Sequence, residues 1–388
     1  METYDYKERV STASNEYPAW VEINLGRLQK NLLSLQGKLG PLKRVLPVVK
    51  ADAYGHGAVA VSRRLEGIHG LEGFAVASVP EGVELRVSGI RTPIILLEFF
   101  LSGQEKHIAE YDLTAVVSGK ENVDRLALQG KNNQKTINVQ VRLDTGYGNM
   151  GISLEELPEL LKYIKEMEWL ECSGIFTHLY ASYFREDKLV DRQLSFFKRG
   201  LELAEKMGVP FSGMHAASSP AILHYPDSHY SLVRPGTILY GLPSFEGQHT
   251  SNFQPVMQLK TRIAHIKNLP PGTAVAGYNM SEKKTVPLRL ATIPLGSADA
   301  YYLGNLHDGH VLINGKKAPI IGSAFMMHIL VDVTEIPNGM PGDEVVLFGE
   351  QGEEVILAEE LARKSGIGII NCEKVCFVNS RVPRYYRD

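Results

Sequence analysis

Between residues 20 and 242, short β-branched runs alternate with stretches of helical period. The pattern predicts strands at 21–25, 45–49, 74–77, 93–97, 114–117, 137–143, 172–176, 214–217 and 232–234. Between them, helical periodicity appears at 28–35, 58–65, 80–87, 104–109, 121–128, 154–166 and 188–207. Asn24 is placed to cap the first helix. Strand, loop and helix repeated about eight times imply a parallel sheet, most simply a (β/α)8 barrel.

After Pro255 the pattern changes to short strands at 256–266, 288–293, 310–313, 318–321, 329–333 and 344–347, with one short helix at 359–364. Pro270-Pro271-Gly272, Asn314-Gly315 and Pro337-Asn338-Gly339 punctuate them, and Asn314-Gly315 is a strong two-residue hairpin signal. The expected organisation is a polar extension over 1–17, a barrel over 18–254 and a mostly β domain over 255–388.

Composition removes several classes of function. At 388 residues, 44% hydrophobic and 22% charged, the chain can bury cores that need no staples. A net charge of −3 carries no nucleic-acid signature. The N-terminus has no apolar signal core, and no apolar run is long enough to span a bilayer, so a cytoplasmic protein is expected. Cys172, Cys372 and Cys376 are too few for a disulfide framework and lack the other ligands of a zinc site, so no metal is expected.

The strand end at Val48-Val49-Lys50, followed by Ala51-Asp52-Ala53-Tyr54-Gly55-His56-Gly57, concentrates the chemistry. Burial lowers a lysine pKa, and a lysine that is neutral part of the time can form a Schiff base. Alone, the motif reads equally well as a surface lysine with a snorkelling stem. In a barrel, however, functional residues sit just after the strands. Lys50, Asp144, His178, His215, Ser219 and Arg234 all fall there. Arg234-Pro235-Gly236-Thr237 offers backbone N–H groups and a hydroxyl, and Ser219 and Tyr54 add two more hydroxyls. Neutral donors of this kind can hold a phosphate. Pyridoxal phosphate needs a lysine, a phosphate cup and a partner for its ring nitrogen. Arg234, always protonated, would donate to that nitrogen and leave it neutral, which suits a racemase better than a transaminase.

Val48 to Gly57 resembles the cofactor-lysine motif of the alanine racemase family, a fold-type III pyridoxal phosphate group. Leu143-Asp144-Thr145-Gly146-Tyr147-Gly148, Gly174-Ile175-Phe176-Thr177-His178 and Arg234-Pro235-Gly236 resemble further motifs of that family. So do Ile293-Pro294-Leu295-Gly296-Ser297-Ala298-Asp299 and Ser380-Arg381-Val382-Pro383-Arg384, all in the same order. The resemblance covers residues 20–384. It implies a barrel, a C-terminal β domain, and a head-to-tail homodimer with sites built from both chains. It makes Lys50 the Schiff-base lysine and one acid/base, and Tyr278 of the partner subunit the other. It gives Tyr54, Ser219, Gly236 and Thr237 phosphate roles, sets Arg234 against the ring nitrogen, packs His178 near the ring to orient Arg234, and leaves His215 as support. The backbone N–H of Met326 would meet the substrate carboxylate.

The departures from the family gather around the substrate, a free amino acid. Asn149 stands where the family usually has an arginine for the carboxylate. Arg142 stands where many members have a lysine modified to a carbamate, and it can supply the missing positive charge from a different place. Ser380 and Ser297 replace tyrosines, and Met327 replaces an aspartate of the access passage. The expectation is an amino-acid racemase for a substrate bulkier than alanine, or of relaxed specificity. The alternatives are a fold-type III decarboxylase and a pyridoxal phosphate-binding protein without turnover.

Overall fold

A computed structural model describes residues 17–244, 252–273, 275, 287–300, 309–364 and 378–388. It divides into two compact units. The first comprises residues 31–53 and 57–239, and the second comprises 54–56 and the described residues of 17–30 and 240–388.

The first unit is the barrel. Its strands are β2 (Arg44–Val45), β3 (Phe74–Val76), β4 (Ile94–Leu96), β5 (Leu113–Val117), β6 (Ile137–Arg142), β7 (Leu170–Phe176), β8 (Gly213–His215) and β9 (Leu232–Val233). β3 to β8 form one parallel sheet in sequential order, and β2 pairs in parallel with β9. Parallel bridges Val48↔Ala75 and Ser218↔Arg234 join β2 to β3 and β8 to β9, closing the ring. The strands are apolar and buried because both faces are covered, which is why they read as continuous β-branched runs.

Three helices of the barrel matter for the site. They are α3 (Ala58–Leu65), α4 (Val79–Val87) and α8 (Asp187–Lys206). Two short helices escaped the sequence pattern, α2 (Lys50–Gly55) and α9 (Ser219–His224). Each has only six residues, too few for helical periodicity to register.

The second unit is a ten-stranded sheet. The strand expected at 21–25 belongs here and not in the barrel. As β1 (Ala19–Asn24) it pairs antiparallel with β10 (Met257–Arg262) and parallel with β18 (Arg384–Arg387). A buried run in the middle of a sheet looks the same in sequence whichever sheet it joins. Glu22 in its interior is neutralised by Lys260 at 3.2 Å and Arg387 at 3.4 Å. β1 leads into α1 (Leu25–Leu39), whose Arg27 N–H is capped by Asn24 Oδ1 at 2.7 Å. The hairpin expected at Asn314-Gly315 joins β13 (His310–Ile313) to β14 (Lys316–Ile321), with both turn residues at positive φ.

Candidate active site

The barrel strands end in a cluster of polar residues. Lys50 follows β2, Glu98 follows β4, Arg142 closes β6, His178 follows β7, His215 closes β8 and Arg234 follows β9. This is the end of the barrel where the fold builds active sites.

The turn that carries Lys50 is unusual. Ala51, Asp52, Ala53 and Tyr54 all have left-handed φ, between 52 and 56°. A left-handed L-residue costs about 1–2 kcal/mol, so four in a row persist only where the surroundings hold them. The Asp52 carbonyl accepts from Gly57 N–H at 2.9 Å, and Asp52 Oδ1 accepts from Ala58 N–H at 2.7 Å, at the start of α3. The Lys50 ammonium lies 3.9 Å from Glu98 Oε1, with about 40% of each side chain exposed. Tyr54 rests its ring against that of Tyr240, 5.2 Å between centroids.

Arg234 is the most completely built residue of the cluster. Its Nη1 donates to His215 Nδ1 at 2.7 Å, and its Nη2 donates to the carbonyls of Thr177 at 2.8 Å and Ala216 at 3.3 Å. His215 in turn meets Gln140 Oε1 through Nε2 at 2.8 Å. An imidazole that accepts at Nδ1 and donates at Nε2 is neutral. Burial and the neighbouring guanidinium push His215 well below its usual pKa, and burial pulls Arg234 down to about 9, still charged at neutral pH. The Phe176 ring lies parallel to His215 at 4.8 Å, and the Arg234 and Arg142 guanidiniums sit 5.5 Å and 6.0 Å from its centroid. The expectation that His178 orients Arg234 is therefore corrected: His215 does so. A histidine inside a strand can aim at a neighbouring strand's side chain, and His178 lies in the loop beyond. His178 instead packs between the rings of Tyr147 and Tyr183, at 5.6 Å and 5.8 Å, and desolvation with nearby cations lowers its pKa to about 3.

Ser219 Oγ accepts from the N–H groups of Gly236 at 2.9 Å and Ile238 at 3.4 Å, and Thr237 is buried beside them. The adjoining Ser218 hydroxyl is buried without a hydrogen-bond partner among the described residues. An orphan hydroxyl beside Ser219, Gly236 and Thr237 suits an oxyanion such as a phosphate.

Arg142 Nη2 donates to Asn149 Oδ1 at 3.3 Å, so the two departures from the family pattern touch each other. The other contacts of Arg142 are equally long, to Leu97 O at 3.3 Å and Met150 Sδ at 3.4 Å. Among the described residues its guanidinium has no carboxylate partner, although it is nearly buried. Burial lowers the Arg142 pKa, and the nearby charges of Glu98 and Asp144 partly offset this without a direct contact, the Asp144 carboxylate accepting from the N–H groups of Gly146, Tyr147 and Gly148.

In the second unit, Gly296 packs against the carbonyls of Phe325 and Met326, where a Cβ would come within 2.4 Å of both oxygens. Ser297 N–H and Ala298 N–H donate to those carbonyls, and Arg381 pairs with Asp299 at 2.8 Å. The motifs around Ser297, Met326, Met327 and Ser380 are thus brought together. Tyr278, Cys372 and Cys376 lie outside the described residues.

The sequence reading passed over Glu98 and Gln193. Glu98 had a usable signal, since it is a carboxylate just after a barrel strand. Gln193, in α8, donates to Thr145 Oγ1 at 3.3 Å and His178 O at 3.2 Å, and accepts from Ala181 N–H at 3.3 Å. It ties the loops after β6 and β7 together. A glutamine inside a helix gives no hint of this in sequence.

His215 makes stability depend on pH. It is neutral in the folded chain and protonates on unfolding, so the unfolded state gains a proton below about pH 6.5 and stability falls as pH drops. The expected cost for this one group between pH 6.5 and 5.5 is about 1 kcal/mol, because an unfolded histidine is already half protonated at about pH 6.5. Urea unfolding of the cofactor-free protein at pH 6.5 and 5.5 measures it, and His215→Asn should flatten the slope by that amount. An unchanged slope would mean His215 is protonated when folded.

A closed parallel barrel with a lysine, an arginine and hydroxyl-bearing residues at its strand ends has the layout of a barrel enzyme, and the comparisons with known proteins name the family. Residues 23–244 match the family model "Alanine racemase, N-terminal domain", and residues 256–386 match "Alanine racemase, C-terminal domain". The chain is 37% identical to the alanine racemase of Halothermothrix orenii, over 96% of this chain and 97% of that one. It is 35% identical to the alanine racemase of Methanococcus maripaludis, over 95% and 99%. The solved alanine racemase structure from Clostridium difficile 630 superposes with a TM-score of 0.89 at 32% identity, covering 96% of each chain. The chain belongs to the alanine racemase family. It is an amino-acid racemase of that type, an isomerase.

Proposed function

We propose that the protein inverts Cα of a free amino acid with pyridoxal phosphate held at the barrel's strand ends. The observation that carries this reading is the buried Arg234, held by a neutral His215 at the same strand ends as Lys50. Lys50 would carry the cofactor. Ser219, Gly236, Thr237, Tyr54 and the free hydroxyl of Ser218 would hold its phosphate, and His178 would pack near its ring. When bound, the cofactor delocalises negative charge developing at Cα. Arg234, held as a cation, would be the residue to donate to the ring nitrogen, and a permanent donor there would leave that nitrogen without a proton of its own. Lys50 moves a proton on one face of Cα, and Tyr278 of a second copy of the chain moves one on the other. The working form is then a homodimer, acting in the cytoplasm.

The substrate end follows from Arg142 and Asn149. Arg142 would supply the positive charge that Asn149 lacks and would meet the substrate carboxylate. Ser297 and Ser380 leave room for a side chain larger than a methyl group. A pocket that has lost its fit to a methyl group discriminates by only about 1–3 kcal/mol per methylene. The test is Cα–H exchange in deuterated water over a panel of L-amino acids, with carbon dioxide measured alongside. Exchange with racemisation and no carbon dioxide is expected, extending to residues larger than alanine. Carbon dioxide release would point to a decarboxylase, absence of exchange to a binding protein, and strict preference for alanine would sink the relaxed-substrate reading.

A further inference from the structure

We infer that Glu81 is a positioning residue for Lys50, holding the left-handed turn that follows it. The inference rests on the reading of Lys50 as the cofactor lysine. Residues 51–54 occupy a backbone region that L-residues leave unless something holds them. The first N–H of that turn, on Ala51, donates to Glu81 Oε1 at 2.8 Å. The second oxygen of the same carboxylate accepts from Ala77 N–H at 2.8 Å and Ser78 N–H at 3.1 Å, where the chain leaves β3 and enters α4. One carboxylate therefore ties the residue next to Lys50 to the end of the neighbouring barrel strand. Asp52 anchors the other end of the turn on α3. Between these two carboxylates the turn that follows Lys50 is pinned at its start and at its end. An ionised acceptor with backbone donors is among the stronger hydrogen bonds available.

Glu81 also serves α4, and that role is separable. Glutamine is accepted at the third position of a helix, where its carbonyl can still take the Ala77 and Ser78 donors. Its amide nitrogen would then face the Ala51 N–H, donor against donor. Glu81→Gln thus breaks the link to Lys50 and spares the helix start. Leu85→Ala, in the buried face of α4, weakens that helix without touching the link.

The experiment measures two quantities in the wild type, Glu81→Gln and Leu85→Ala. The first is the labelling rate of Lys50 by acetic anhydride in the cofactor-free protein, read by peptide mass spectrometry. The second is the dissociation constant of pyridoxal phosphate. Glu81→Gln should change the Lys50 labelling rate several-fold and weaken cofactor binding about tenfold to a hundredfold, the scale on which misplacing a reacting group by 1 Å is felt. Leu85→Ala should lower the melting temperature and leave both readouts near wild type. Wild-type labelling and affinity in Glu81→Gln overturn the inference, and so do equal losses in both variants. If Glu81→Gln does not fold, Glu81→Gln/Ala51→Gly, whose turn carries less strain, is expected to fold and show the same loss. Wild-type labelling there overturns the inference equally. Borohydride reduction of the wild-type holoprotein locates the cofactor. Attachment to another lysine would defeat the reading of the site, whereas attachment to Lys50 with an indifferent Glu81 would defeat the inference alone.

Discussion

Lys50→Ala is expected to abolish covalent cofactor attachment and lower racemisation by at least about 10⁴-fold. The variant removes the cofactor's anchor and one of the two groups that move the Cα proton, and a general acid/base is itself worth 10² to 10⁴. The fold should barely notice. The Lys50 side chain is more than a third exposed, and its Glu98 partner stands at 3.9 Å. An ion pair of that kind contributes about 1 kcal/mol or less. The melting temperature of the cofactor-free variant should therefore stay within a few degrees of wild type, by the usual scaling of stability to temperature. Lys50→Arg should be equally inactive, because a guanidinium keeps the charge toward Glu98 but does not deprotonate at neutral pH. Cofactor still fixed to the chain by borohydride reduction in Lys50→Ala would refute the assignment.

Arg234→Leu is expected to damage both stability and rate. Its guanidinium meets His215 Nδ1 and the carbonyls of Thr177 and Ala216, all in buried surroundings. Leucine leaves those acceptors without donors, each at about 1–3 kcal/mol. A loss of about 3–5 kcal/mol is expected in urea unfolding of the cofactor-free protein, as for other broken buried charge networks. In the holoprotein kcat should fall about 10²- to 10³-fold, the usual effect of removing a preorganised donor. Arg234→Lys separates the two effects. It keeps a cation but loses the planar fork, so His215 and the carbonyls cannot all be served at once. It should recover part of the stability and little of the rate. Wild-type kcat in Arg234→Leu would show that the ring nitrogen has another partner.

Much of the architecture was legible because strands buried on both faces and helices packed on one face leave different periods in the chain. The strands expected at 288–293 and 310–313 fall at the observed bounds, as does the helix at 58–65. The Asn314-Gly315 turn was legible because few residues tolerate its backbone. The strand at 21–25 was assigned to the wrong sheet because pairing partners lie more than two hundred residues away, and no local pattern encodes them. The left-handed turn after Lys50 was not legible either. Ala51, Asp52, Ala53 and Tyr54 have ordinary side chains, and contacts from Glu81 and from α3 are what make that conformation tenable.

The site divides along the same line. That Lys50, His178, His215 and Arg234 would meet was implied once the strand order was known, since a closed parallel barrel places every strand end on one rim. Which residue grips which depends on distances of a few tenths of an ångström. His215 rather than His178 holds Arg234, Arg142 touches Asn149, and Glu98 faces Lys50. The chain alone determined the barrel, the β domain and the chemical kinds of residue brought to the rim, because periodicity and residue type are local properties. Only the tertiary structure decided the hydrogen-bond partners, the tautomer of His215 and the handedness of the turn at Lys50, because each depends on groups that are distant in sequence and adjacent only in the fold.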